Sequence, residues 1–107
     1  MDQCPFCQIL VKDHKHQIIA RGKNFTAIRK LYKSNNVNFL IISNKHVPNL
    51  KSGGESVDLN ELVKFINSIS KGKDWNMKIS NGKNAGQEVF HLHAHISSFE
   101  KAESWGI

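Results

Sequence analysis

Apolar and polar residues along this chain fall into short blocks, each with the period of one kind of element. Between Cys4 and Lys12 the apolar residues Phe6, Ile9, Leu10 and Val11 follow Pro5, which predicts a short helix starting near the proline. Ile18-Ile19-Ala20 and Phe25-Thr26-Ala27-Ile28, separated by Arg21-Gly22-Lys23-Asn24, predict two strands of a hairpin. Ser34-Asn35-Asn36 reads as a turn, and the continuous apolar run Phe39 to Ile42 as a buried strand. After the loop Lys51-Ser52-Gly53-Gly54, Ser56 is the expected N-cap of a helix reaching about Ser70. Its residues Leu59, Leu62, Val63, Phe65, Ile66 and Ile69 recur with helical period. Trp75, Met77 and Ile79 alternate as in a strand, Asn81 to Gly86 forms a glycine-containing loop, and a last strand follows it. The order α-β-β-β-α-β-β with hairpin-length links predicts a single α+β domain. Its antiparallel sheet would have about five strands, with a short N-terminal helix and one long helix, and the mixed tail from Phe99 is left unassigned.

The last strand carries the chemistry. In His91-Leu92-His93-Ala94-His95 every second residue is a histidine. Strand residues i, i+2 and i+4 share a face, with about 7 Å between successive side-chain origins, so three imidazoles would line one site. Three strict repeats argue against mere surface alternation. Two chemical readings remain: chelation of one metal ion, or nucleophilic attack on phosphorus by the central ring with its neighbours orienting it and assisting proton transfer. The loop bearing Gly82, Gly86 and Gln87, able to present backbone N–H groups to a phosphate, favours the second.

Charge narrows the ligand. Fifteen Lys and Arg against nine Asp and Glu give a net +6, and Lys12, Lys15, Arg21, Lys23, Arg29, Lys30 and Lys33 face only Asp13 in their stretch. Such a surface favours anions. Aromatics are not interleaved with the basic residues as on a base-stacking platform, so a small phosphorylated ligand is preferred over nucleic acid. No apolar run approaches the roughly 18 residues of a membrane span. Met1-Asp2-Gln3-Cys4 lacks the basic and apolar segments of a secretory signal, so a reducing, cytoplasmic setting is expected. Cys4 and Cys7 are then thiols or metal ligands rather than a disulfide. His14 and His16 read as solvated loop residues, and Trp105 as a candidate for packing on a dimer partner.

The run Asn81-Gly82-Lys83-Asn84-Ala85-Gly86-Gln87-Glu88-Val89-Phe90-His91-Leu92-His93-Ala94-His95-Ile96 resembles the signature of the histidine-triad (HIT) family, and within it the Hint branch of nucleotide hydrolases and transferases. The rest of the chain is similar in order: Cys4-x-x-Cys7 at the start, Ile41 to His46 where the family has a strand ending in Pro-Lys-x-His, then a long helix. The resemblance implies a HIT-like fold, a homodimer and hydrolysis or transfer at the α-phosphate of a nucleoside phosphoramidate or related phosphoanhydride. It implies that His93 is the nucleophile and that His95 contacts the phosphate and helps protonate the leaving group. His91 would orient His93 through its backbone carbonyl, and Gln87 would touch a phosphate. The nucleotide-binding set implied is Gln87, Gly86, Asn81, Ser80 and Lys30.

Departures fall on the nucleoside side. Lys30 stands where the family commonly has an aspartate gripping the ribose hydroxyls, and a cation cannot accept those hydrogen bonds. Ser80 replaces an asparagine, Ser43-Asn44 replaces Pro-Lys, and Ser97 ends the motif in place of an apolar residue. A nucleotide-binding module without useful turnover is therefore the alternative, and a metal-activated water held by His91, His93 and His95 is a third reading.

Cys4-Pro5-Phe6-Cys7 resembles a redox-active Cys-Pro-aromatic-Cys, but only three residues precede Cys4, and that reading is set aside. The pair is then either two free thiols or half of a zinc site. In family members with this N-terminal pair, the remaining ligands correspond to His46 and His91 here. A Cys₂His₂ set has no open position, so this Zn²⁺ would be structural, with no catalytic metal expected.

Overall fold

The computed structural model describes residues 4–13, 16–31 and 34–107. His14, Lys15 and Lys33 of the basic stretch lie outside the described residues.

The first helix, α1, spans Pro5–Val11. Proline at its first turn lacks only an N–H that would be unpaired there anyway, and the Cys4 sulfur caps the helix by accepting from the Cys7 N–H at 3.4 Å. Strands β1 (Ile18–Arg21) and β2 (Phe25–Arg29) form the expected hairpin, closed by a 2.7 Å bond from the Gly22 N–H to the Phe25 carbonyl. Strand β3 covers Asn36–Ser43, longer than its apolar centre suggests.

The long helix, α2, is Leu59–Ser70. Its cap is Asp58 rather than Ser56. The Asp58 carboxylate accepts from the N–H groups of Asn60 and Glu61 at 2.9 and 3.2 Å, while Ser56 closes a short 3₁₀ turn over Gly54–Ser56. Strand β4 is only Asn76–Lys78. Met77 faces the same side as its register partner Ile96 but lies at the sheet's edge and stays exposed.

Strand β5 spans His93–Lys101. The five strands pair antiparallel throughout in the order β1-β2-β3-β5-β4, the α+β architecture expected. The chain beyond Phe99 is part of this body: β5 runs to Lys101, and a 3₁₀ turn carries Trp105 into the interior, its ring edge-on to Phe39 with centroids 6.0 Å apart. Trp105 thus packs on its own sheet.

The two faces of the sheet are covered unequally. On one, Phe25, Ala27, Phe39, Ile41, Ala94 and Ile96 pack under Leu62 and Ile66 of α2 and Trp105. On the other, α1 lays Phe6, Ile9 and Leu10 over Ile18, Ile28, Leu40 and Ile42. Burying one such side chain is worth about 1.5–3 kcal/mol. Because α1 is short, it shields the β1–β3 half of this second face. The half formed by β5 and β4, with Lys30 at the end of β2 and Asn38 of β3, is left for polar residues. Among the described residues no helix is long and apolar enough to cross a membrane.

Candidate active site and metal centre

Alternation along β5 decides which residues reach the open half-face. Ala94, Ile96 and Ser98 are buried toward α2, whereas His93, His95 and Ser97 are half-buried on the opposite side. The register sets His93 beside Ile42 of β3, and His95 between Leu40 of β3 and Lys78 of β4. The His93 and His95 rings stand at 66° with centroids 5.2 Å apart.

His91 departs from the expectation of three rings along one strand. The β5 ladder starts at His93. Leu92 instead bonds to the end of β3 and the following loop, with its N–H on the Val47 carbonyl at 2.7 Å and its carbonyl accepting from the Ser43 N–H at 3.2 Å. The His91 ring is fully buried beside Phe6, which also stands edge-on to His93 at 5.1 Å. Its backbone carbonyl accepts a 2.7 Å hydrogen bond from His93 Nδ1. A carbonyl can only accept, so the His93 proton sits on Nδ1 and the in-plane lone pair on Nε2. No hydrogen-bond partner of Nε2 is found among the described residues. The three rings therefore do not converge on a single ion.

The side chain of His91 belongs to a second cluster. Cys4, Cys7, His46 and His91 bring one ligand atom each to within 4.8 Å of one another. Cys4 Sγ lies 3.3 Å and Cys7 Sγ 3.5 Å from His91 Nδ1. His46 Nδ1 lies 3.2 Å from Cys7 Sγ and 3.1 Å from His91 Nδ1. Zinc bonds of 2.0–2.3 Å in a tetrahedron set neighbouring ligand atoms about 3.3–3.8 Å apart, close to what these side chains adopt. The far nitrogen of His91, Nε2, lies 2.7 Å from the Ser43 carbonyl, which places the proton there and turns the Nδ1 lone pair toward the two sulfurs. Burial is the main influence holding His91 below the ordinary imidazole value. The charges of His46 and His93 act in the same direction, against the Ser43 hydrogen bond. A neutral imidazole is the form a metal needs. Burial, then the hydrogen bond and charge of Cys4, push the Cys7 thiol up, a cost that a cation between the sulfurs reverses. The residues present fit a tetrahedral ion such as Zn²⁺.

The loop residues expected around a phosphate are engaged elsewhere. Gln87 is buried, and its Nε2 donates to the carbonyls of Pro48 and Val89 at 2.7 and 3.0 Å. Its Oε1 accepts from Asn49 Nδ2 and the Gly82 N–H, both at 2.9 Å. Asn81 Oδ1 accepts from the Leu50 N–H at 2.7 Å. The N–H groups of Ala85, Gly86 and Gln87 bond within the loop itself, to Gly82, Lys83 and Gly82 carbonyls, and Gly86 makes that turn with φ of +94°. Gln87 and the loop amides thus brace the segment leading into the histidines. Ser80 is half-buried between β4 and this loop.

Lys30 lies on the open half-face, at the end of β2, and donates to Asn38 Oδ1 at 2.7 Å. A shallow depression of about 280 Å³ is lined by Lys30, Asn38, Asn76, Met77, Lys78, His95 and Ser97. Burial, then the charges of Lys30, His93 and Lys78, hold His95 below its ordinary value, and burial lowers Lys30. Sequence reasoning missed Asn38, Asn76 and Lys78. Their only signal was alternation within β3 and β4, which says nothing of which strands are neighbours.

The family model described as the HIT domain matches residues 11–101. Among curated proteins, the Protein HitA of Neisseria gonorrhoeae is 28% identical over 102 residues, covering 90% of this chain and 95% of that protein. An uncharacterized HIT-like protein of Chlamydia trachomatis is 31% identical over 84 residues, with coverages of 73% and 76%. Among solved structures, a histidine triad protein from Clostridium difficile superposes with a TM-score of 0.77 at 26% identity, covering 92% of this chain and 91% of its own. A HIT family hydrolase from Clostridium thermocellum gives 0.71 at 28%, with both coverages at 90%.

Proposed function

Because the chain belongs to the HIT domain family, we propose that it is a nucleotide hydrolase or transferase acting at an α-phosphate through a nucleotidyl intermediate on His93. The observation that carries this reading is the 2.7 Å bond from His93 Nδ1 to the His91 carbonyl, which leaves Nε2 as a free lone pair beside His95. That the Clostridium thermocellum relative is named a hydrolase supports the reaction class.

The substrate class is a nucleoside phosphoramidate or related phosphoanhydride. His93 Nε2 attacks the α-phosphorus, forming a P–N bond to the imidazole as the P–N or P–O bond to the leaving group breaks. His95 contacts the phosphate and supplies the proton that the departing amine or phosphate needs. Water then attacks the same phosphorus, its proton returning to His95, and frees His93 and the nucleoside monophosphate. Cys4, Cys7, His46 and His91 would hold a structural Zn²⁺ that ties α1 to the sheet and supplies no step of this chemistry.

The same reading takes the protein as a cytoplasmic homodimer. What supports the dimer is the outer edge of β4, unpaired among the described residues, with Met77 and the α2 residues Leu59 and Val63 exposed. Sedimentation at a mass of one chain contradicts the dimer alone.

The test of the reaction is mass spectrometry of the protein mixed with adenosine phosphoramidate. A nucleotidyl adduct on His93, absent from His93→Ala together with turnover, is expected. Tight nucleotide binding with no product in the wild type favours a binding module instead, which the lysine at position 30 makes a real competitor.

A further inference from the structure

Beyond His95, the open half-face holds a group of polar residues that the His93 chemistry does not use. Two rows cross the sheet. Leu40, His95 and Lys78 are register neighbours, and so are Asn38, Ser97 and Asn76. Lys30 joins the second row through its 2.7 Å bond to Asn38 Oδ1. All of these except Leu40, together with Met77, line the depression of about 280 Å³ that begins at His95 and extends away from His93 along β5.

Its chemistry is one-sided. The lining contributes two lysine ammonium groups, two side-chain amides and a serine hydroxyl, and no carboxylate. Lys78 Nζ, the Asn76 side-chain amide and the Ser97 hydroxyl have no hydrogen-bond partner among the described residues. The Asn38 oxygen is taken by Lys30, which leaves its N–H₂ group facing outward as a donor. Two uncompensated cations beside an imidazole are unfavourable until an anion joins them. At His95 burial has the larger effect in lowering the imidazole, and the charges of Lys30 and Lys78 add to it. A sugar hydroxyl placed here meets cations that cannot accept its proton. A phosphoryl oxygen placed here can accept from the two ammonium groups, the side-chain amides and the Ser97 hydroxyl. Dinucleotide-binding sites make the same exchange, with a carboxylate for a ribose hydroxyl and a cation for a ribose phosphate.

We propose that this depression is a subsite for a second phosphoryl group, esterified to the sugar, so that the preferred substrates are nucleotides phosphorylated at the ribose 2′ or 3′ position. The inference rests on the reading of His93 and His95 as the α-phosphate site. One end of the ligand is then fixed at His93. Ser97 lies two residues beyond His95, about 7 Å along the strand, so the ribose would bridge the two anionic ends. Near 280 Å³, the depression is at the small end of ligand pockets, roughly 300–1,000 Å³, and suits one phosphorylated sugar edge rather than a whole nucleotide.

Isothermal titration of the full chain with adenosine 5′-monophosphate, adenosine 2′,5′-bisphosphate and adenosine 3′,5′-bisphosphate tests it. One bisphosphate is expected to bind at least about tenfold more tightly than the monophosphate, the scale of one or two charge-assisted contacts. Lys30→Gln and Lys78→Gln should each reduce that ratio by about fivefold or more. Lys64→Gln, on α2 across the sheet, should leave it unchanged and so removes general charge attraction as the cause. Thermal unfolding of each variant confirms that it is folded. A wild-type ratio near one, a ratio that Lys30→Gln and Lys78→Gln both leave intact, or a ratio that Lys64→Gln lowers equally overturns the subsite. Adduct formation on His93 is read separately with the plain and the ribose-phosphorylated phosphoramidate. An adduct with a binding ratio near one sinks the subsite alone, and a high, lysine-dependent ratio with no adduct from either compound sinks the catalytic reading alone.

Discussion

His93 Nδ1 donates to the backbone carbonyl of His91 across 2.7 Å, while the His91 ring turns the other way into a cluster with two cysteines and His46. One residue thus touches two functions through two different groups. Its carbonyl fixes which nitrogen of His93, the proposed nucleophile, carries the proton, and its imidazole is a candidate metal ligand.

The tautomer this dictates is directly observable. Long-range ¹H–¹⁵N spectra at neutral pH should show His93 with a protonated Nδ1 and an unprotonated Nε2. The opposite tautomer contradicts the assignment of Nε2 as the attacking atom. His93→Ala should lower turnover of a phosphoramidate by at least about 10³-fold, as expected when a covalent route is lost rather than impaired.

Metal content tests the other side of His91. Zinc content near one ion per chain is expected in protein prepared without chelator. Cys7→Ser or His46→Ala should lose that ion and unfold at least about 10 °C lower, given that 1 kcal/mol is worth roughly 4–8 °C in a domain of this size. Because the His91 carbonyl is carried by the same residue, folded His46→Ala protein should also turn over more slowly than wild type. A variant that keeps full zinc and full Tm removes the substituted residue from the site.

Much of this was legible in the residues, for physical reasons that differ by element. The apolar run Phe39 to Ile42 and the 3.6-residue period of Leu62, Val63 and Ile66 are local signals, and they locate β3 and α2 well. The cap of α2 was not, because Ser56 and Asp58 are both good capping residues and only the 3₁₀ turn at Gly54–Ser56 decides between them. The histidine spacing pointed to the candidate site, but it placed His91 on the same strand as its partners. The pairing of Leu92 with Val47 and Ser43, which ends that strand early, is a contact between distant segments. The basic depression was least legible. Lys30, Asn38, Ser97 and Asn76 come from four stretches of chain, and only the sheet order β2-β3-β5-β4 makes them neighbours.

The environment of His95 has a pH signature. Burial first, then the charges of Lys30, His93 and Lys78, lower its pKa in the folded chain. Between the ordinary imidazole value, about 6.5, and that lowered value, the unfolded chain binds more protons than the folded one. His95 therefore contributes a loss of stability as pH falls through this window, and no change above it. In urea unfolding, the wild type should lose more stability than His95→Asn on going from pH 7.5 to 5. In an NMR titration the His95 ring should have its midpoint below that ordinary value and shift upward in Lys30→Gln. A midpoint unmoved by Lys30→Gln means that Lys30 does not act on this ring.

Gln87 presents the clearest conflict between a binding role and a bracing one. Its amide makes four hydrogen bonds to Pro48, Val89, Asn49 and Gly82, and its side chain is buried. A buried amide so fully paired has little capacity left for a ligand oxygen, and removing it strands several partners at about 1–3 kcal/mol for an unsatisfied group. Gln87→Ala should therefore lower stability to chemical denaturation by about 2–4 kcal/mol. Since the braced segment leads directly into His91, kcat should fall more than the affinity for a nucleoside monophosphate. If Gln87 instead gripped phosphate, the substitution would weaken that affinity tenfold or more with stability nearly intact. The two outcomes separate cleanly when unfolding and binding are measured on the same preparation.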